Sequence, residues 1–385
     1  MTGRARPRVA VVASTIPVTV HAFHRELLRQ LGEAGFEVLV VSSPGPELDL
    51  LAATPGVRVA ALPMSRDIDA RADSGALRKW VRLLRNERPA LVVTATPKAS
   101  LLGMVAARLT GVPRRAYYVG GLRLEGEHGR RRRLLAATER LTSASAHVVI
   151  ANSPSLAREV LAHRLTRVSK LRVIKPASSH GVDTERFAPR ARDAELRASL
   201  GLVDDLPVVG FIGRVTADKG VGALLSALHL LRQRAVAVQL LVLGAQNESD
   251  SAGWVSRLRG ESRVVLAGHV DDIRPYVALM DVHVLPSRRE GFPNVVLETG
   301  AMGVPTVTTR ATGAIDSVRD GETGLLVDVD DARQLADAVG RLLADPGLAH
   351  RLGAAAREVS VRDFQPPEVV ASFVGHILGT RAPRA

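Results

Sequence analysis

The chain has 385 residues, 46% of them apolar, enough for two domains that each bury a core, which excludes a disulfide-stapled mini-protein and a disordered tail. It has no cysteine, which also excludes thiolate catalysis and cysteine-bound zinc. The net charge of +13 lies wholly in the first half: residues 1–180 hold 29 Lys and Arg against 13 Asp and Glu, whereas residues 181–385 hold 23 against 26.

Only five of the 52 cations are lysine, a bias of codon type, but such a bias does not confine cations to one half. The asymmetry predicts attraction to phosphates. Aromatic residues make up 3% of the chain, too few for base-stacking platforms, so the expectation is an anionic membrane surface and no nucleic acid. The first apolar run, Val9 to Ala13, is too short for a signal segment or a membrane span. The chain therefore reads as cytoplasmic, with a peripheral position at the inner membrane face.

Short apolar runs alternate with stretches of helical period. Val9 to Ala13 precedes a helix over 21–34 stopped at Gly35, then come Glu37 to Val41, Ala90 to Thr94, a helix over 99–109, Ala116 to Val119, a helix over 130–143 and His147 to Ile150. That alternation predicts a parallel sheet with both faces covered. Residues 175–190 are rich in turn formers and read as a linker. A second series follows, with strands at 208–212, 239–243, 264–266, 282–285 and 305–308. The predicted domains are 1–180 and 181–365, with a terminal helix in 366–385 packing back toward the first. Two doubly wound domains facing a central cleft would bind ligands at the carboxyl ends of their strands.

Pro286-Ser-Arg-Arg-Glu-Gly-Phe-Pro-Asn-Val-Val-Leu-Glu298 follows the strand ending at Leu285. A helix is expected from Pro293, whose ring suits a first turn, and its free N–H groups suit a phosphate. Glu290 falls in the loop and Glu298 in the helix, so they would reach different parts of one extended ligand. The spacing alone fits equally an acidic loop residue and a solvated helix carboxylate. Gly213-Arg-Val-Thr-Ala-Asp-Lys-Gly220 places Arg214 and Lys219 where a diphosphate would sit, although two surface charges would give the same pattern. No Walker loop is present, and no Gly-x-Gly-x-x-Gly follows the first strand of either domain, so a dinucleotide oxidoreductase is not indicated. Asp328-Val-Asp330 reads as an N-cap rather than a metal motif.

Glu290 to Glu298 with Gly303-Val-Pro-Thr-Val-Thr308, Gly213-Arg214 with Lys219-Gly220, and Ala267 to Ser287 together resemble the retaining glycosyltransferases of family 4, which have the two-domain GT-B fold. Thr96 to Gly103, Gly121 to Arg123, Leu134-Leu135 and Glu139 to Leu141 are similar to the capsule- and N-glycan-type subgroup. The resemblance implies transfer of a sugar from a nucleotide-sugar donor, commonly a UDP-sugar, to a lipid-linked saccharide or secondary-metabolite acceptor, with retention and without a metal or other cofactor. It implies that Arg214 and Lys219 hold the donor diphosphate, with backbone donors around Phe292 to Val295 where the helix starts at Pro293, and with Gly291 and Asn294 in the same donor-binding loop. Glu290 would grip the sugar, Glu298 the ribose, and Val270 would lie near the base. Gly120, Gly121 and Arg123 would line the first-domain side of the cleft.

Two departures stand out. The subgroup's His-x-His before Thr-Pro-Lys is Val93-Thr94-Ala95 here, ahead of Thr96-Pro97-Lys98, and its Val-His-Gly is Val119-Gly120-Gly121. Either the backbone of Gly120 and Gly121 makes the contact, or the chain is a non-catalytic nucleotide-sugar-binding subunit of a glycan-assembly complex; a GT-B epimerase is a further alternative. His21, His24 and His128 are expected at the surface. Arg130 to Arg133 open a helix whose Leu134, Ala137 and Leu141 form one stripe, to be packed in the core or laid on an anionic membrane.

Overall fold

A computed structural model describes residues 8–65, 69–246 and 250–380. The chain divides into two compact units, Met1–His180 with Pro366–Ala385, and Gly181–Gln365.

In the first unit, seven parallel strands form one sheet: β1 (Arg8–Ala13), β2 (Phe36–Ser42), β3 (Val57–Ala61), β4 (Leu91–Thr94), β5 (Arg114–Val119), β6 (Val148–Ala151) and β7 (Leu171–Val173). Their order is β3-β2-β1-β4-β5-β6-β7. The central strands are apolar along their length because helices cover both faces of the sheet. Strands β3 and β7 went unrecognised in the sequence: β3 is an edge strand with alternating partial exposure, and β7 has three residues. The order reverses between β1 and β4, where a ligand crevice is expected in this class. At that point the Thr15 N–H donates to Thr96 Oγ1 at 2.8 Å. Thr96 holds a φ of +67°, a conformation a β-branched residue adopts only under constraint.

The single helix expected over 21–34 is two, Pro17–Phe23 and Arg25–Glu33, broken at His24. His24 is buried, edge-on to the Tyr118 ring at 5.9 Å, which corrects the expectation of a surface residue. Burial pushes its pKa down to about 4, so the imidazole is neutral.

In the helix Gly129–Ser145 the stripe of Leu134, Ala137 and Leu141 is exposed, facing outward, and is not packed in the core. This helix packs on the helix Pro97–Leu109 with Glu139, Thr142, Ser143 and Ser145 buried. Thr142 and Ser145 donate their hydroxyls to the carbonyls of Thr138 and Leu141, so small satisfied side chains allow close packing there. Glu139 is buried because Tyr117 OH donates to it at 2.5 Å; burial raises the Glu139 pKa, against the pull of that hydrogen bond.

The terminal helix Pro366–Leu378 belongs to this unit. Phe373 packs on Tyr118 at 5.2 Å, and Arg114 Nε and Nη2 donate to the carbonyls of Ile377 and His376 at 2.6 and 2.9 Å.

The second unit has six parallel strands: β8 (Val208–Ile212), β9 (Gln239–Leu243), β10 (Val264–Gly268), β11 (Val282–Leu285), β12 (Thr306–Thr309) and β13 (Gly324–Val327), in the order β10-β9-β8-β11-β12-β13. Strand β13 was not distinguished in the sequence, its four residues falling between turn formers. The cap of the helix Ala332–Ala344 is Asp331, whose carboxylate accepts from the N–H groups of Arg333 and Gln334. Asp328 and Asp330 therefore do not cap it. Asp330 holds a φ of +63° and pairs with Arg288 at 2.8 Å.

Trp80 lies fully buried in the helix Ala70–Glu87 and belongs to the main core of the first unit. Trp80→Ala should destabilise the protein by about 3–5 kcal/mol through the cavity it leaves, measured as a lowered denaturation midpoint; a change below about 1 kcal/mol would mean that the core collapses into the space.

Candidate active site

In the second unit the strand order reverses between β8 and β11, so the loops after these strands lie side by side at the carboxyl edge of the sheet. The β8 loop carries Arg214 and Lys219, and the β11 loop carries Glu290. They meet closely. A Cβ at Gly220, where φ is +74°, would stand 1.8 Å from the Pro286 carbonyl oxygen, and on the other side of the β11 loop, where the loop after β12 approaches it, one at Gly313, where φ is +76°, would stand 2.3 Å from the Gly291 carbonyl oxygen. Only glycine has both the backbone freedom and the space at these two positions. The Arg288 N–H donates to the Asp218 carbonyl, and the Glu290 N–H to that of Thr312.

The side chains follow from that zipper. Lys219 Nζ donates to Glu290 Oε1 at 2.5 Å, both side chains being mostly buried. Ser287 Oγ donates to the same carboxylate oxygen at 2.7 Å. Asp218 stands between Arg214 and Arg289, each at 3.4 Å, and accepts the Thr216 hydroxyl at 2.5 Å. Burial pushes the Asp218 carboxyl up, but the Thr216 hydrogen bond and the charges of Arg214, Arg289 and Lys219 hold it below its ordinary value. The result is a group of cations held by fixed carboxylates, an arrangement suited to charge that arrives or develops on a bound anion.

The helix after this loop runs Asn294–Ala301, and Pro293 stands at the position before it, not in the first turn. Phe292 is buried and stacks on Phe364 at 5.9 Å, so its contribution to a ligand would be its backbone. Gly291 and Pro293 are buried, Asn294 donates from Nδ2 to the Gly181 carbonyl at 3.1 Å, and Val295 packs against a small core around Leu285, Val296 and Val318. Val270 follows β10 and packs among a cluster that includes Leu243, Ile212 and Tyr276. Glu298, a fringe of which meets solvent, is raised to about 7 by burial, with the Arg186 charge pulling the other way.

In the first unit, Gly120 and Gly121 follow β5, and Arg123 opens a short 3-10 turn, exposed. Gly120 is exposed, and a Cβ there would come within 3.1 Å of the Tyr118 ring. Gly121 holds a φ of +143°. His24 packs against that same ring. Lys98, in the Thr-Pro-Lys run, is buried against Asp73, Nζ reaching both carboxylate oxygens at 2.6 Å, a structural pair. Among the described residues no three His, Asp or Glu side chains are placed to hold a metal ion.

Two family models match the chain, Glycosyltransferase Family 4 over residues 20–186 and Glycosyl transferases group 1 over residues 206–345. The capsular polysaccharide biosynthesis glycosyltransferase CapM of Staphylococcus aureus is 34% identical over 348 residues, 90% of this chain and 89% of the relative. The GDP-mannose-dependent alpha-mannosyltransferase of Mycolicibacterium smegmatis is 32% identical, covering 98% of this chain and 100% of that protein. The chain belongs to glycosyltransferase family 4. Its fold is GT-B: sucrose-phosphate synthase from Thermosynechococcus elongatus superposes with a TM-score of 0.80 at 24% identity, covering 95% of this chain and 97% of that one. Anabaena HepE in complex with UDP and glucose superposes at 0.79 and 21%, covering 97% and 100%.

For this family 4 glycosyltransferase, sequence reasoning passed over Asp218, Arg289, Ser287 and Arg186 as site residues. Arg289 and Ser287 lie within the recognised loop, and Asp218 within the Arg214–Lys219 segment, so position alone was a signal. Arg186 had none, because it lies in the stretch read as a linker, of which residues from Gly181 onward belong to the second unit.

The raised Glu298 pKa has a stability consequence. With a folded value of about 7 against an ordinary 4.5, ionisation is disfavoured in the folded state, so stability falls as pH rises through that interval and the cost is fully present above it. Glu298→Gln should therefore melt higher than the wild type at pH 8, and the gap should close by about pH 4.5. A gap that does not change with pH would show that Glu298 is not the titrating group.

Proposed function

We propose that the chain is a retaining transferase of hexosyl or N-acetylhexosaminyl groups, with a UDP-sugar as donor and a lipid-linked saccharide or secondary metabolite as acceptor. On this reading residues 181–365 bind the donor and residues 1–180 the acceptor. The observation that carries it is the meeting of the Arg214–Lys219 loop with the Glu290 loop at the strand-order reversal, with Glu298 one helix turn further on. Arg214 and Lys219 would neutralise the diphosphate, backbone N–H groups of Phe292, Asn294 and Val295 would add donors, and Val270 would lie beside the base. Glu298 would accept the ribose hydroxyls.

Glu290 is held by Lys219 and Ser287, so it would present its carboxylate to the sugar hydroxyls in a fixed orientation. The bond from the anomeric carbon to the diphosphate oxygen breaks as the acceptor oxygen bonds to the same face. The acceptor proton passes to the departing phosphate. Fixed cations and amide dipoles would stabilise the charge that builds there, and the proposal includes no metal.

The CapM relative supports a role in polysaccharide assembly. The mannosyltransferase relative depends on GDP-mannose, which makes GDP-mannose the competing donor. Exposed Leu134, Ala137 and Leu141 beside Arg130, Arg131, Arg132 and Arg133 support docking of the helix Gly129–Ser145 on an anionic membrane surface, since apolar and basic side chains share its outer side. Among the described residues no helix is long and apolar enough to cross a membrane.

Thermal unfolding with UDP, GDP, ADP and dTDP tests the donor. A selective ligand at 100 times its Kd should stabilise by about 2.7 kcal/mol; a response to GDP alone would replace UDP by GDP, and no response would overturn the donor site. Glu298→Ala should weaken nucleotide binding roughly tenfold, about one lost charge-assisted hydrogen bond, whereas Glu290→Ala should lower turnover with little change in nucleotide affinity. Nucleotide binding without turnover on any lipid-linked acceptor would favour the non-catalytic subunit. Cosedimentation with phosphatidylglycerol vesicles should fall when Arg130 to Arg133 are replaced by Gln or Leu134 and Leu141 by Ser; equal recovery of all forms would remove the membrane assignment.

A further inference from the structure

The amino edge of the first unit's sheet holds a second cationic site. Strand β5 begins at Arg114 and ends at Val119 beside Gly120, so this edge lies a strand length, roughly 15–20 Å, from the glycines assigned above. Here a cavity of 730 Å³ is lined by Arg114, His147, Lys170, Arg172, His376 and Gly379, among others. Its size falls within the range of roughly 300–1,000 Å³ usual for small-ligand sites. None of its described lining residues is a carboxylate.

Part of this charge has a structural use. Lys170 Nζ donates to the carbonyls of Ser143, Ala144 and Ala146 at the end of the helix Gly129–Ser145, and Arg114 to those of His376 and Ile377 near the end of the terminal helix. Cations are favoured at such helix ends. Capping does not account for Arg172, which is exposed and, among the described residues, binds through Nη1 the carbonyls of Ser169 and Leu171, within three residues of it in the chain. Nor does it account for His147, whose Nδ1 accepts the Arg115 N–H at 3.2 Å, leaving Nε2 as the ring's donor. Gly379 carries no side chain over Arg114: a Cβ there would lie 3.2 Å from Nη2.

The cations act against one another. After burial, the largest influence lowering Arg114 is Arg172, and Lys170 is lowered by Arg115, Arg167 and Arg108. His147 is likewise lowered by burial and then by Arg115, Arg114 and Lys170. In the donor-side loops every cation of the group has a carboxylate close by; here repulsion among like charges has no carboxylate to offset it, and a bound polyanion would relieve it.

We propose that this cavity is a binding site for a small soluble oligophosphate, held by Arg114, Lys170, Arg172 and His147 on the first unit. Arg172 and His147 supply the donors not committed to helix ends, and Arg114 and Lys170 supply fixed positive potential. The site would occupy a face of the protein that the transfer reaction does not use.

The test is calorimetric titration of the full chain with inorganic tripolyphosphate, with sulfate as the control for unspecific charge. Arg172→Ala with His147→Asn should weaken tripolyphosphate at least tenfold while changing the melting temperature little, because neither side chain caps a helix and the Asn oxygen can still accept the Arg115 N–H. Arg214→Ala with Lys219→Ala should leave this binding intact. Three results would overturn the proposal: no binding by the wild type, binding lost with Arg214 and Lys219 but kept without Arg172 and His147, or sulfate matching tripolyphosphate. Since the readout is binding on the first unit, failure of the transferase reading would leave it untouched.

Discussion

The reversal of strand order between β8 and β11 is the constraint on which the rest of the second unit's chemistry depends. Parallel strands need long crossovers, and where the crossovers change direction two loops are left adjacent with nothing between them. In this chain the two loops meet so closely that glycine is obligatory at 220. The close approach in turn brings Lys219 onto Glu290 and leaves Asp218 between Arg214 and Arg289. The ionic arrangement is thus a consequence of backbone packing, and each carboxylate sets the position of a cation before any ligand arrives.

Charge is handled in opposite ways at two edges of the molecule. In the β8 and β11 loops, Arg214, Lys219 and Arg289 each stand beside a carboxylate, which limits their mutual repulsion. At the amino edge of the first sheet, Arg114, Lys170 and Arg172 are held by carbonyl groups. Carbonyl dipoles satisfy individual N–H groups but do not cancel full charges, so that edge keeps a net positive potential. The +13 balance of the chain is therefore concentrated as well as uneven.

The helix Gly129–Ser145 shows how facing is decided. Its leucines invite burial, yet Thr142, Ser143 and Ser145 are buried instead, because they are small and Thr142 and Ser145 satisfy their hydroxyls within their own helix. The buried pair of Tyr117 and Glu139 fixes the rotation. Once that contact is made, Leu134 and Leu141 have no place but outward.

The sequence by itself determined the alternation of buried strands and helices, the change of unit near residue 180, and the loop character of Glu290 against the helical character of Glu298. These follow from local periodicity, glycine and proline, and from motif residues close together in the chain. It did not reveal β3, β7 or β13, whose few residues pair with partners that local patterning does not specify, nor the break at His24, nor Asp331 as the cap. Only the tertiary structure decided that Lys219 meets Glu290 across 71 positions, that Arg186 is the charge acting on Glu298, and that cations from β5, β7 and their neighbours share one cavity. Each of these depends on which strands become neighbours, a choice made by burial of the whole sheet and not by any segment's own preferences.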